Sequence, residues 1–284
     1  MAGEFILLPN EVAETRKGER KKPGRQNSPL PFLLLSSAGQ TALDAFSPDL
    51  SRFDAAIVDL DGTMVDTLGD FAASLNGMLG DLSLPHVAPA AIEVMVGKGS
   101  EHLILSALVH VMTPAGTTPS AAEAGALKAK AEGLFDRAWA RYQHHYLAIN
   151  GQHSAVYPGV IEGLKALRAR GLRLACLTNK PTSFAKPLLA AKGLDGFFEW
   201  VFGGDAFERK KPDPLPLLKT CEALGTVPAR TLMVGDSSND ARAARAAGCP
   251  VVLVSYGYNH GEPVRGVDAD GFVDSLAELA ATAA

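Results

Sequence analysis

From Phe53 onward the chain alternates between short apolar runs and stretches with helical spacing. The run Phe53-Asp54-Ala55-Ala56-Ile57-Val58-Asp59 is apolar and ends in a carboxylate, which suits a strand buried on both faces of a parallel sheet. Residues 172–178, 231–235 and 251–255 repeat the pattern, each a short aliphatic or β-branched run. Segments with helical spacing, such as 160–170 and 240–247, precede them. Strands alternating with helices predict right-handed crossovers and an α/β fold with a doubly wound parallel sheet, whose ligand site lies beyond the carboxyl ends of its strands.

Between Thr67 and about Ser154 the alternation stops. The sequence there is rich in Ala, Leu, Glu and Lys, and its spacing predicts four or five helices. Pro114, Gly116 and Pro119 divide them into two groups. Residues 51–67 and 155–284 are thus expected to form the α/β core, and 68–154 an inserted helical domain. Residues 1–50 read differently. The run Arg16 to Arg25 has no apolar periodicity and carries two helix breakers, so this segment is expected to be a disordered, solvated extension. Basic residues before the apolar stretch Leu30 to Leu35 suggest an export segment, but they start far from Met1 and include acidic neighbours.

Composition narrows the class of partner. The 284 residues are 47% hydrophobic and 20% charged, with a formal net charge of −4, which gives no basic field for nucleic acid or an anionic membrane. A small-molecule partner is expected, with no nucleic acid and no membrane, since no apolar run reaches the length of a bilayer span. Cys176, Cys221 and Cys249 are too scattered for a zinc site and odd in number, which fits a reducing, cytoplasmic compartment.

Four strand ends carry candidate chemistry. In Asp59-Leu60-Asp61-Gly62-Thr63 two carboxylates two residues apart on an extended chain fall on the same side. Gly62 permits a tight turn whose N–H groups, with Thr63, face an anion; taken alone, the motif also reads as a calcium-type loop or a plain turn. Thr178 and Asn179 end the next strand and offer a hydroxyl and an amide to a phosphoryl oxygen. Lys211 stands before Pro212, held extended at the start of a helix. Asp236 ends a further strand, with Asp240 one turn into the helix that follows. The two acids fit a magnesium site.

These four motifs, in this order, resemble the haloacid dehalogenase superfamily of aspartate-nucleophile phosphatases, over about Phe53 to Val273. The resemblance implies a Rossmann-like core with a helical cap, a Mg2+ cofactor, and a phosphorylated aspartate intermediate. It makes Asp59 the nucleophile, Asp61 the general acid/base, Thr178 a phosphate-binding hydroxyl, Lys211 the charge-balancing lysine and Asp236 a metal-binding acid. It also has Asp240 support the metal through water, and Asp61 meet it through its backbone carbonyl. An aspartate at position 61 argues for phosphoryl transfer, because halide displacement needs no proton donor.

Within the superfamily, Val96-Gly97-Lys98-Gly99, Thr178-Asn179-Lys180-Pro181, Lys210-Lys211-Pro212 and above all Ala246-Ala247-Gly248-Cys249-Pro250 with Ser255-Tyr256-Gly257-Tyr258-Asn259 look like the phosphoglycolate phosphatase group. That implies a small phosphorylated metabolite as substrate, with Lys98 meeting its carboxylate from a glycine-flanked cap loop. Three other readings stay open: a phosphatase for a phosphosugar or pyrophosphate, a mutase of the β-phosphoglucomutase type, and a phosphate- or metal-sensing protein without turnover. The oligomeric state is expected to be monomer or homodimer.

Overall fold

The computed structural model describes residues 49–280; the expectation of an extension over residues 1–48 lies outside them. Six strands form one sheet in the order β5-β4-β1-β6-β7-β8. They are β1 (Ala55–Val58), β4 (Arg173–Leu177), β5 (Trp200–Phe202), β6 (Thr231–Gly235), β7 (Val251–Val254) and β8 (Gly271–Val273). Every pairing in this sheet is parallel, and β1, β6 and β7 are buried at every position. The α/β expectation is therefore met.

The strands' two-residue alternation divides the core into two layers. Ala56, Val58, Leu174, Cys176, Leu232 and Val234 pack with residues of α5 (Val160–Ala169) and α6 (Thr182–Ala191). Ala55, Ile57, Ala175, Leu177 and Met233 pack with α7 (Leu215–Ala223) and α8 (Ser238–Ala247). Consecutive strand residues thus serve opposite layers, which explains why the runs are continuously apolar. All three cysteines are free and buried in these layers.

The chain leaves the core through β2 (Val65–Asp66) and returns through β3 (Ala155–Val156), which pair antiparallel. Between them lie α1 (Leu68–Asp81), α2 (Pro89–Glu93), α3 (Ser100–Met112) and α4 (Ala121–Ile149). Their apolar faces form a separate cluster of Phe71, Leu75, Leu103, Ile104, Tyr142 and Tyr146, which also takes in Phe184 and Tyr258 of the core. The break expected at 113–120 falls between α3 and α4, and Ser120 starts α4 with a capping box to Glu123. Where the ribbon joins the helices, the Asp70 carboxylate accepts from the backbone N–H of Gly151 and His153 at 2.8 and 2.7 Å. No described helix is long and apolar enough to cross a membrane.

Candidate active site

The sheet reverses its winding at β1, with β4 on one side and β6 on the other. A crevice forms at the carboxyl ends of such strands. Asp59 follows β1, Thr178 follows β4 and Asp236 follows β6, while Lys211 comes from the loop after β5. Buried as all four are, they lie at one edge because their strands pair in register with β1.

Lys211 organises this edge. Its three ammonium donors meet Asp59 Oδ1 at 2.8 Å, Asp240 Oδ1 at 2.7 Å and the Leu177 carbonyl at 2.9 Å. Burial works to lower its pKa, but the carboxylates of Asp240 and Asp59 outweigh burial and raise it. Asp240 is held by both oxygens, since Oδ2 accepts from Ser237 Oγ at 2.8 Å and from the N–H groups of Ser237 and Asp236 at 3.2 and 3.3 Å. Asp236 Oδ2 accepts from Tyr258 N at 2.7 Å. A side chain at Gly62 would place its Cβ 2.2 Å from that same oxygen, and the backbone there has φ +81°, so only glycine fits.

Carboxylate oxygens of Asp59, Asp236 and Asp240 lie within 4.8 Å of one another. Burial pushes the Asp59 carboxyl up to about 7, against the pull of Lys211. Burial, reinforced by the charges of Asp240 and Asp59, pushes Asp236 well above the usual carboxylate range. Three buried acids, Asp59, Asp236 and Asp240, cluster around one buried ammonium group, Lys211, while Asp61 pairs separately with Lys180. A divalent cation supplies the two missing positive charges, and hard carboxylate oxygens are the donors such a cation takes. The residues present therefore fit the metal.

Cap helices close over the edge. Asp59, Asp61, Thr178, Lys180, Lys211 and Asp240 from the core line one cavity with Phe71, Val96, Gly97, Ser100 and Leu103 from the cap. It leaves about 20 Å³ in which a water-sized sphere can be centred, room for about one water. The seam is latched by Gly97, whose carbonyl accepts from Asn179 Nδ2 at 3.1 Å and from Asn239 Nδ2 at 3.2 Å. Nearby, Lys210 pairs with Glu101 across the same seam.

Several expected site residues hold places that differ from the expectation. Asn179 spends its second N–H on the Lys211 carbonyl at 2.9 Å, so its amide locks loop to loop and has no donor left for a phosphoryl group. Gly62 N–H donates to Val65 O at 2.9 Å within the turn and is likewise unavailable to an anion. Thr63 is buried outside the cavity lining. Lys98 is exposed, and its neighbours Gly97 and Gly99 face the cavity in its place. Thr178 does line the cavity; its Oγ1 accepts from Lys180 N at 3.1 Å, which leaves the hydroxyl proton to donate.

Sequence reasoning passed over Lys180. Its Nζ donates to Asp61 Oδ1 at 2.8 Å, and its side chain is 1% exposed. The signal available was position, since Lys180 directly follows the Thr178-Asn179 strand end. Tyr258 stood out in the sequence only as part of a motif, with no role of its own: its Oη accepts from Thr67 N and Leu68 N and donates to Asp66 Oδ1 at 2.7 Å.

A parallel sheet with aspartates at its switch point under a helical cap can support phosphate transfer, and comparison with known proteins gives the class. A family model of haloacid dehalogenase-like hydrolases matches residues 53–248. The chain belongs to that family and is a phosphoric monoester hydrolase acting on a small phosphorylated metabolite. It is 43% identical to a phosphoglycolate phosphatase from Thiobacillus denitrificans, over 80% of this chain and 93% of that one. A second, from Nitrosospira multiformis, is 43% identical over 79% of this chain and 92% of its own length. The crystal structure of a protein described as a predicted phosphoglycolate phosphatase from Haemophilus somnus superposes with a TM-score of 0.70 at 34% identity, covering 80% of this chain and 96% of that one.

Proposed function

We propose that the protein hydrolyses 2-phosphoglycolate to glycolate and phosphate, with magnesium bound and through a phosphorylated Asp59. The observation that carries this reading is the placement of Asp59 and Asp61 in one cavity with different partners. Asp59 keeps Oδ2 clear of every donor among the described residues while Oδ1 is fixed by Lys211. A carboxylate so held presents one oxygen to phosphorus, and covalent capture splits a hard hydrolysis into two easier steps.

In the first step the bond from Asp59 Oδ2 to phosphorus forms as the bond to the glycolate oxygen breaks, and Asp61, which enters this step protonated, gives that oxygen its proton. In the second, water attacks phosphorus, its proton passes to Asp61, and the bond to Asp59 breaks. The hydroxyl of Thr178 donates to a phosphoryl oxygen throughout. Lys211 stabilises the charge that develops on the transferring group. Asp59 and Asp236, with Asp240 and the Asp61 carbonyl in support, would hold magnesium, which would add positive charge beside those same oxygens. Closure of the cap keeps bulk water from the phosphorylated aspartate.

The choice of substrate rests on the relatives described as phosphoglycolate phosphatases. Phosphate release across a panel of phosphomonoesters tests it. Phosphoglycolate should lead in kcat/KM by at least about tenfold over ethyl phosphate, hexose phosphates and pyrophosphate. A hexose phosphate or pyrophosphate in first place would overturn the assignment of substrate.

A further inference from the structure

Lys211 is fixed by three hydrogen bonds at the phosphate end of the cavity, and among the described residues Lys180 is the other ammonium that lines it. Lys180 Nζ makes a single hydrogen bond, to Asp61, out of the three an ammonium can donate. The ammonium also lies beside two aromatic rings, with the Phe71 ring centroid at 4.3 Å and that of Tyr146 at 4.8 Å. Both rings come from the cap, and the Tyr146 hydroxyl is buried without a hydrogen-bond partner. Ring faces stabilise a cation without neutralising it. An ammonium placed there can still take an anion.

The cap contributes a second feature beside it. Helix α3 starts at Ser100, and its N-cap, Gly99, has no side chain to satisfy the first N–H groups. Gly99 and Ser100 both line the cavity, where the positive end of a 13-residue helix favours negative charge. At the sheet edge the charge of Lys211, the hydroxyl of Thr178 and a cation held by the clustered acids would serve the phosphate. We infer that Lys180, with the first turn of α3, holds a second anionic group at the far end of the substrate. This rests on the phosphoglycolate reading, in which that group is the carboxylate. It also moves the recognition of carboxylate from the exposed Lys98 to a buried core lysine covered by the cap.

The test compares kcat/KM for phosphoglycolate and ethyl phosphate, which lacks the carboxylate, in wild type and in Lys180→Met, Lys180→Gln and Lys180→Arg. Gln retains a donor for Asp61 and loses only the charge, which keeps the experiment readable if the Met variant does not fold. The neutral variants should lose phosphoglycolate preference by about 10- to 150-fold, the worth of a hydrogen bond between charged groups, and Arg should restore most of it. Equal losses on both substrates would assign Lys180 to Asp61 or to the cap and overturn the inference. So would preference retained in Lys180→Gln and lost in Lys98→Ala. A wild-type enzyme with no preference for phosphoglycolate over ethyl phosphate would instead reject the substrate reading itself.

Discussion

The sheet edge and the cap wall enclose one cavity by different means. At the edge, Asp59, Thr178 and Asp236 each stand one residue past a strand whose register is locked by its neighbours, as Asp59 is through β4 and β6, and Lys211 reaches in from the loop after β5. In the cap, the wall consists of apolar side chains such as Phe71, Val96 and Leu103 and of backbone at Gly97 and Gly99. The edge supplies charge in fixed positions, and the cap supplies exclusion and shape. Chemistry should therefore fail steeply when the edge is altered, and selectivity or closure should fail more gently when the cap is.

Asp59→Asn breaks the comparison at its strongest point. An amide cannot form the acyl phosphate, so turnover should fall by at least about 10⁴-fold while the fold persists. Steady-state phosphate release together with a melting curve checks this. Asp61→Asn should cost about 10² to 10⁴ in rate on alkyl phosphates, and less on aryl phosphates, whose leaving groups need no proton. The two substrates losing equally would argue against proton donation.

Gly97→Ala examines the cap. Its Cβ would lie 2.8 Å from His260 Cε1, on a backbone with φ +99°. The strain, roughly 1–2 kcal/mol for a side chain in that conformation, opposes the closed latch and should lower kcat/KM by about tenfold. A variant with wild-type kcat/KM would show that closure does not depend on this contact.

The smallest effect is one of stability. In the metal-free protein burial holds Asp59 at about 7, above its ordinary 3.8. A raised acid stabilises the fold while it is protonated, fully below about pH 4, and that contribution is lost as pH rises through 7. With chelator present, Tm should therefore shift in favour of Asp59→Asn over wild type by a few degrees between pH 5 and pH 8. A difference that stays constant across this range would contradict the buried-charge account.

Legibility in the sequence followed the same division. β1, β4, β6 and β7 fall on apolar runs because burial on both faces removes polar residues, and the edge motifs follow from them. β5 and β8, three residues each at the sheet margins, leave too short a pattern. The cap could be read as helices, since periodicity reports a buried face, but not as a site, since Phe71 and Leu103 look like any core residue. Lys180 was missed for a related reason. Its function depends on aromatic rings more than 30 residues away in sequence, and a lysine before proline ordinarily belongs to solvent.

The central claim is that Asp59 carries the phosphoryl group. Rapid quenching during phosphoglycolate turnover, followed by borohydride reduction and peptide mass spectrometry, tests it directly, because reduction converts an aspartyl phosphate to homoserine. The account predicts homoserine at position 59 and at no other aspartate. Turnover that proceeds at its full rate with Asp59 unmodified at every quench time would contradict it.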